Sequence, residues 1–367
     1  MERLRRLHDD WGQSPWLDNL RRDYLTSGHL ARLRDGGVRG LTSNPAIFAK
    51  AIIGSADYDT ALRRLVDEGA DTERACWDLM VADIHGALEV FAELYDHSDG
   101  GDGFVSVEVD PELAHDAPGT TSAARALHER IARPNLMVKI PATPAGLPAI
   151  RQMIAEGRNV NVTLIFSVER YRAVMDAYLE GLEQFARTPH ADLSRVASVA
   201  SFFVSRVDTE VDHQLTAIGT SAAAQLCGQA AVAQAVLAYD AFQEVFSGPR
   251  WKALSDRGAR VQRPLWASTS TKNPSYPDTL YVDSLIGPHT VNTLPDATLE
   301  AFADHGTLGR TIDADPDRAR SVWSRVGELG VDLDEVAVRL EREGVASFQT
   351  SFRELLDTLS RRMASLR

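Results

Sequence analysis

The sequence has little cysteine, no excess of positive charge and no long apolar run, and each absence removes a class of protein. Its two cysteines, Cys76 and Cys227, are far apart in a chain of 367 residues, so the disulfide framework of a small secreted protein is not expected. The formal net charge of -13 argues against nucleic-acid or anionic-membrane partners, which require a basic surface. No apolar leader follows Met1, and no apolar run reaches the length of about 18 residues needed to span a membrane. We therefore expect a cytoplasmic protein that binds neither nucleic acid nor membrane.

Metal-ligand spacing is absent as well. The sequence contains 10 histidines, but they do not show the spacing of a metal site, and neither cysteine belongs to a CxxC pair. We expect no metal and no other cofactor. The apolar fraction of 44% and the charged fraction of 25% are those of an ordinary globular protein. The length fits about two domains, or one α/β barrel of about 200–250 residues with additions.

Short apolar segments alternate with helical patterns along most of the chain. We predict strands at 15–18, 38–42, 104–110, 137–140, 159–166, 196–204, 264–270 and 290–294. We predict helices at about 24–33, 57–68, 72–96, 120–132, 145–156, 168–186, 206–247, 277–286 and 297–304, with Asp296 as the cap of the last. Eight units of a strand followed by a helix predict parallel strands and a (β/α)8 barrel.

The residues after this pattern, about 307–367, are predicted to be helical. One amphipathic helix near the end would place its apolar side chains on a single face: Phe348, Phe352, Leu355, Leu359, Met363 and Leu366. We expect this extension to pack on the barrel, so that 1–367 form a single domain.

The segment Leu136–Thr143 contains the most informative residue, Lys139. Its apolar run predicts a buried strand, in which the lysine is surrounded by Leu, Met, Val, Ile and Pro. Burial disfavours the charged form of a lysine, and a neutral amine can attack a carbonyl carbon. The alternative is a lysine that extends to water or pairs with a carboxylate.

Alternation along the other strands places polar side chains on one face of each. These sets are Thr42 with Asn44, Ser106 with Glu108, Asn159 with Asn161 and Thr163, Ser201 with Phe203 and Ser205, and Trp266 with Ser268 and Ser270. An ordinary barrel interior is filled by branched apolar residues, and the catalytic sites of such barrels lie at the carboxyl ends of the strands. Polar residues satisfied by water or by loop backbone would explain one such strand more easily than five.

Together these side chains could support carbon–carbon bond cleavage through an imine. Lys139 would condense with a ketone, and the carboxylates of Asp18 and Glu108 would move protons. The polyol would be held by Asn44, Asn161, Thr163 and Ser201, and a phosphate by Arg206 and Lys272.

Simpler roles remain open for the same residues. Glu108 could form an internal salt bridge with Lys139, Asp18 could cap a helix, and Asn44 could shape the turn before Pro45. Arg206 could form a surface ion pair that contributes little.

Four segments in the right order resemble the transaldolase family, in its longer bacterial version, over about residues 15–305. They are Gly40–Phe48, Val138–Thr143, Asn159–Ser167 and Val291–Pro295. The resemblance implies that Lys139 is the Schiff-base lysine on the fourth strand. It further implies that Glu108 acts as acid/base through a water and that Asp18 handles the C4 hydroxyl.

The resemblance also implies roles for the binding residues. Asn44 and Asn161 match substrate-holding asparagines, with Thr42 on the same face as Asn44, and Thr163 matches the threonine that supports the catalytic water. The pattern Ser-x-Phe-x-x-Arg is present as Ser201, Phe203 and Arg206.

One departure from the family pattern concerns the phosphate site. Ser268 aligns with the serine of a Ser-x-Arg motif in shorter members, but Ser270 stands where the arginine would be. Lys272 is the candidate replacement, and a lysine supplies a point charge instead of a bidentate fork.

The function implied is transfer of a dihydroxyacetone unit from sedoheptulose 7-phosphate to glyceraldehyde 3-phosphate in the pentose phosphate pathway. The alternatives are a class I aldolase that releases free dihydroxyacetone and a non-catalytic sugar-phosphate-binding barrel. We expect phosphorylated sugars as partners, a monomer or a homodimer, and no fused isomerase.

Overall fold

The chain forms a closed barrel of eight parallel strands, in a computed structural model that describes residues 1–366. The strands are β1 (Gln13–Leu17), β2 (Gly40–Thr42), β3 (Phe104–Glu108), β4 (Leu136–Pro141), β5 (Val160–Ile165), β6 (Ser198–Phe203), β7 (Arg263–Ala267) and β8 (Thr290–Leu294). Each strand pairs with the next in sequence, and β8 pairs with β1 to close the sheet. The predicted fold class, a (β/α)8 barrel with additional C-terminal helices, is confirmed.

Helices surround the barrel. They are α1 (Glu2–Asp9), α2 (Arg22–Thr26), α3 (His29–Asp35), α4 (Pro45–Ile53), α5 (Asp59–Asp67), α6 (Thr72–His97), α7 (Ala117–Ile131), α8 (Gly146–Ala155), α9 (Val168–Phe185), α10 (Ser205–Ile218), α11 (Ser221–Ala224), α12 (Ala230–Val245), α13 (Pro249–Ser255), α14 (Leu280–Asp283), α15 (Asp296–His305), α16 (Pro316–Glu328) and α17 (Leu333–Leu366). Two 3-10 helices, Pro111–Leu113 and Leu193–Arg195, precede α7 and β6. Within residues 1–366, no helix is long and apolar enough to cross a membrane.

The start of α4 differs from the sequence prediction, which treated Asn44–Pro45 as part of a loop. Asn44 instead caps the helix, because its side chain accepts a hydrogen bond from the Ile47 N–H at 3.0 Å. Pro45 occupies the first helical position, where its missing N–H costs nothing. An Asn-Pro pair serves a helix start as well as a turn, and here it begins a helix at the carboxyl end of β2.

The predicted cap at Asp296 is wrong. The capping position of α15 is Pro295, which has no side-chain hydrogen bond to the helix. The Asp296 carboxylate accepts hydrogen bonds from Asn19 Nδ2 at 2.6 Å and from the Tyr24 hydroxyl at 2.9 Å. Asp296 therefore ties the loop after β1 and helix α2 to the start of α15.

The long helical region predicted at 206–247 is interrupted. Helix α10 ends at Gly219, which adopts a left-handed conformation with φ of 71°. Helices α11 and α12 follow, with a turn between them. Glycine reaches this conformation without a steric penalty and so commonly ends helices.

Alternation predicts the faces of β3 correctly but fails on β7. Val105 and Val107 are fully buried, while Glu108 lies on the opposite face. Trp266, predicted to share a face with Ser268, instead packs edge-on against Phe202 with ring centroids 6.2 Å apart. The reason is that β7 ends at Ala267, and Ser268 adopts a left-handed φ of 57° that breaks the two-residue period.

The prediction that residues 307–367 are wholly helical is wrong at its start, because residues 307–315 are not helical. The rest of the C-terminal region contains two helices, α16 and α17. The predicted apolar face of α17 is buried from Phe348 to Met363, Leu366 is half-buried, and Arg367 lies outside the described residues. Arg362 donates a hydrogen bond to the Ile52 carbonyl at 2.6 Å, which attaches α17 to the end of α4.

At the amino-terminal end of the barrel, a buried carboxylate joins several strands. Asp102 accepts hydrogen bonds from Ser14 at 2.8 Å, from Arg39 at 2.7 Å and from Arg263 at 3.1 Å. Burial alone would raise the pKa of Asp102, but the guanidinium groups of Arg263 and Arg39 outweigh it and hold the pKa below its ordinary value.

Asp102→Ala is expected to lower the free energy of unfolding by about 3–5 kcal/mol, because two arginines are left partly buried without their anion. The contribution of Asp102 is present above the ordinary pKa of an aspartate and is lost as the pH falls through the lowered folded-state value. Urea unfolding measures this. Asp67→Ala is the matched control, since Asp67 is exposed at the end of α5, and it should change stability by less than about 0.5 kcal/mol. Equal losses in the two variants would contradict this account.

Candidate active site

A cavity of about 140 Å³ opens at the carboxyl ends of the strands. Its walls include ten of the predicted site residues: Asp18, Thr42, Asn44, Lys139, Thr163, Ser201, Phe203, Arg206, Ser268 and Lys272. The other two, Glu108 and Asn161, do not line it. This is the end of the barrel at which catalytic groups meet in enzymes of this architecture.

Lys139 projects from β4 into this cavity. All residues of β4 are buried, and Lys139 is 5% exposed. Its Nζ donates a hydrogen bond to the Ser43 carbonyl at 3.1 Å and lies 3.6 Å from Glu108 Oε2. The strand register places Glu108 directly opposite Lys139, which explains why the two side chains meet. The amine is thus held between a carbonyl and a carboxylate and faces the cavity.

Glu108 lies behind Lys139. Burial raises the pKa of Glu108 to about 7, partly offset by the positive charge of Lys139, while the Asp18 carboxylate adds to the increase. Its Oε2 has no hydrogen-bond partner within residues 1–366. A carboxyl group with this pKa exchanges protons readily at neutral pH.

Asp18 is a second carboxylate with an altered pKa. Its Oδ1 accepts a hydrogen bond from the Thr42 hydroxyl at 2.7 Å, and Thr42 is 2.6 Å from the Thr293 hydroxyl. Burial raises the pKa of Asp18, although Lys139 and the Thr42 hydrogen bond act in the opposite direction. Asp18 follows the last residue of β1, so this side chain projects from the carboxyl end of that strand.

Asn161 lies below the cavity and is fully buried. Its Nδ2 donates to Ser106 Oγ at 3.0 Å, and its Oδ1 accepts from Ser201 Oγ at 2.7 Å. This chain of hydrogen bonds crosses the barrel under Lys139, which pairs with Asn161 in the strand register. In this arrangement Asn161 supports the floor and positions Ser201.

Thr163 and Asn44 have hydrogen-bonding capacity left for a ligand. The Thr163 hydroxyl is buried without a partner in the described part of the chain, next to an irregularity in β5 where Leu164 has a φ of 60°. Asn44 uses its Oδ1 as the cap of α4, which leaves its Nδ2 free to donate. Buried polar groups without partners are rare and often mark function.

Two cations line one side of the cavity. The Arg206 guanidinium lies over the Phe203 ring at 5.4 Å and forms no ion pair within residues 1–366. Lys272 Nζ donates to Ser270 Oγ at 2.7 Å. Partial burial and then the charge of Arg206 lower the pKa of Lys272, so the two cations lie close enough to repel each other. An anion between them would relieve this repulsion.

Comparison with known proteins agrees with this geometry. The family model described as Transaldolase/Fructose-6-phosphate aldolase matches residues 15–359. This chain belongs to the transaldolase/fructose-6-phosphate aldolase family. It is 52% identical to a Transaldolase of Parafrankia sp. (strain EAN1pec) over 96% of each chain. It is 53% identical to a Transaldolase of Thermobifida fusca (strain YX), over 97% of each chain. A Transaldolase of Mycobacterium marinum is 52% identical over 97% of this chain and 96% of its own.

Several residues in the site of this transaldolase-family chain were missed by sequence reasoning. The cavity is also lined by Ala267, Thr293, Pro295 and Phe348, which were not predicted, and by Ser270, which alternation placed on the polar face with Ser268. Thr293 and Pro295 belong to the last of the four family-like segments, which is a signal that could have found them. Phe348 comes from α17, far along the chain, and its apolar spacing predicted only packing.

A larger cavity, of about 650 Å³, lies at the opposite end of the barrel of this transaldolase-family chain. Arg39 and Arg263 line it, and both are bonded to Asp102. That end of such a barrel serves stability. We therefore assign the chemistry to the smaller cavity, which contains the Lys139 amine. Within residues 1–366, no group of three or more His, Cys, Asp or Glu side chains is placed to hold a metal ion.

Proposed function

We propose that this chain acts as a transaldolase, with Lys139 forming the Schiff base that carries a dihydroxyacetone unit between phosphorylated sugars. The observation that carries the proposal is the Lys139 amine, buried and facing a cavity beside two carboxyl groups whose pKa values are both raised. The donor would be sedoheptulose 7-phosphate and the acceptor glyceraldehyde 3-phosphate, with erythrose 4-phosphate and fructose 6-phosphate as products.

Glu108 is suited to formation of the imine. The neutral Lys139 amine adds to the C2 carbonyl of the donor, and the resulting carbinolamine loses its hydroxyl as water. A proton must leave the nitrogen and another must reach the departing oxygen. Glu108, 3.6 Å from Lys139 Nζ and with a pKa of about 7, can accept the first and supply the second. The unpartnered Thr163 hydroxyl can hold the water that carries these protons.

Asp18 is suited to cleavage of the C3–C4 bond. The iminium at C2 accepts the electron pair of that bond and becomes an enamine. The C4 hydroxyl gives its proton to Asp18, and the fragment that begins at C4 leaves as an aldehyde. Burial makes Asp18 a stronger base than an exposed aspartate, and Thr42 fixes the orientation of its carboxylate. In the second half-reaction, C3 attacks the acceptor aldehyde and Asp18 returns the proton to its oxygen. Water then adds at C2 of the iminium that results, and the product leaves as Lys139 regains its amine.

Uncharged polar groups would hold the hydroxyls of the substrate. Asn44 has a free Nδ2, Ser201 is positioned by Asn161, and Ser268 lies at the same cavity wall as Arg206. Arg206 would bind the phosphate, with Lys272 as the second cation.

The phosphate assignment predicts a selective loss. Arg206→Met should raise the KM for glyceraldehyde 3-phosphate about 10- to 100-fold, because charge-assisted hydrogen bonds to the phosphate are lost. Lys272→Met should also raise the KM for glyceraldehyde 3-phosphate, but by less, since a lysine supplies one point charge and not a bidentate fork.

The control for these variants is the unphosphorylated acceptor D-glyceraldehyde, whose KM should change little in either of them. Steady-state assays with both acceptors decide the matter. An equal rise in KM for the two acceptors would show that the substitutions damage the whole cavity, and the phosphate assignment would be withdrawn.

Dependence on an acceptor tests the function itself. With fructose 6-phosphate alone, a transaldolase should release about one equivalent of glyceraldehyde 3-phosphate per site and then nearly stop. Added erythrose 4-phosphate should restore continuous turnover. Continuous turnover without acceptor would favour the aldolase that releases dihydroxyacetone, and no product under either condition would favour a binding barrel.

We further propose that the barrel and the C-terminal helices form one domain. The acidic net charge of -13 supports a protein that does not bind nucleic acid, and we propose that it is cytoplasmic and either monomeric or homodimeric.

A further inference from the structure

The C-terminal helix α17 lies across the carboxyl ends of the strands. Near its middle, Gly344 is so close to the barrel that a Cβ there would be 2.9 Å from Leu164 Cδ2 and 3.5 Å from Arg206 Nη1. Two turns further on, Phe352 packs against Trp77 with ring centroids 6.0 Å apart, in a small cavity that Glu108 also lines. One face of the helix therefore extends from the phosphate-binding side of the site to the acid/base side.

Phe348 lies between these two points on the same face, four residues from each. It is 5% exposed and forms part of the wall of the cavity that contains Lys139. Phe348 is the one residue that α17 contributes to that wall; the other lining residues belong to the barrel strands, to the loops that follow them or, for Arg206, to the first turn of α10.

The helix is fastened on both sides of Phe348. Toward its start, Arg339 forms an ion pair with Glu210 of α10 at 2.9 Å. Toward its end, Arg353 donates to Glu112, in the loop after β3, at 2.7 Å. These contacts attach α17 to the barrel on both sides of the buried Phe348 ring.

We propose that Phe348 determines the specificity of the reaction by favouring transfer of the enamine to an aldehyde over release of free dihydroxyacetone. This inference rests on the proposed transaldolase function. Release requires a proton at C3 to regenerate the iminium, then addition of water at C2, departure of the lysine amine and loss of one proton. Transfer instead bonds C3 to the aldehyde carbon while Asp18 protonates its oxygen, and the iminium that results is hydrolysed at C2 in the same way. The two routes therefore differ in what C3 receives, and an apolar ring in the cavity wall keeps away the water that would deliver a proton to C3.

Phe348→Ala is the test. Each enzyme is given fructose 6-phosphate without acceptor, which measures release, and with erythrose 4-phosphate, which measures transfer. The ratio of release to transfer should rise on the order of tenfold, equivalent to about 1.4 kcal/mol in the difference between two barriers. Because the readout is a ratio, a general loss of activity does not produce this result.

Leu359→Ala is the matched control. Leu359 lies on the same helix face, is fully buried and does not line the cavity, so its truncation loosens the packing of α17 without opening the site. The ratio of release to transfer in Leu359→Ala should equal that of the wild type. Phe348→Leu retains an apolar side chain and should give a smaller increase, and it decides the matter if Phe348→Ala does not fold.

An unchanged ratio in the folded Phe348 variants, or an equal increase in Leu359→Ala, would overturn the proposal. Failure of the function itself is distinguishable, because the wild type would then show no acceptor-dependent turnover at all.

Discussion

Lys139→Met is expected to lower turnover by roughly ten-thousand-fold or more, as loss of a covalent nucleophile does in other enzymes. Methionine keeps the length and apolar stem of lysine but cannot form an imine. The surroundings of the side chain are apolar enough to accept it, since every residue of β4 is buried. The measurement is the rate of acceptor-dependent transfer from fructose 6-phosphate at saturating substrate.

Lys272→Met is the control for this loss, because it removes a positive charge from the same cavity and leaves the amine of Lys139 in place. It should retain a kcat of the wild-type order while its KM rises. A folded Lys139→Met enzyme that keeps substantial activity would contradict the imine mechanism. Thermal unfolding of each variant shows whether the fold is retained.

The second large effect concerns Glu108 and pH. The kcat/KM of the wild type should fall as the pH decreases through about 7, because Glu108 then becomes protonated and can no longer accept the proton that the nitrogen of Lys139 must lose when the imine forms. Glu108→Gln should lower kcat by about 10²- to 10⁴-fold and should remove this acidic limb from the profile. A pH series of initial rates measures both.

The control is Glu112→Gln, because Glu112 lies in the loop after the same strand but pairs with Arg353 at the surface. It should leave the pH profile unchanged. If Glu108→Gln keeps the acidic limb, another group is responsible for it and the role given to Glu108 is wrong.

Much of the fold follows from local patterns in the sequence. Strands and helices alternate with the periods that predict a parallel barrel, and the order of strands in a barrel follows the order in the chain. The proximity of Lys139 and Glu108, which lie on neighbouring strands, could therefore be predicted from the sequence. The same patterns failed where backbone geometry departs from the regular period. Ser268 breaks the alternation of β7, so Ser268 lines the cavity although Trp266, two residues earlier, does not.

The part of the site that sequence reasoning did not find depends on contacts between distant segments. Phe348 reaches the cavity because α17 packs across the barrel ends, and no spacing within the helix indicates which apolar residue faces the cavity. Lys139 donates a hydrogen bond to the backbone carbonyl of Ser43. Because every residue has such a carbonyl, the sequence does not show which one binds the lysine. Asn161 lies beneath the cavity because its amide group bonds to Ser106 and Ser201, and alternation alone does not show which inward side chains bond to each other.

Borohydride trapping tests the central claim most directly. The protein is incubated with fructose 6-phosphate, reduced, digested and examined by peptide mass spectrometry. We predict a reduced three-carbon adduct on Lys139, which would require both the imine and the cleavage of the C3–C4 bond. No adduct on any lysine of a folded sample, or an adduct on a different lysine, would contradict the account.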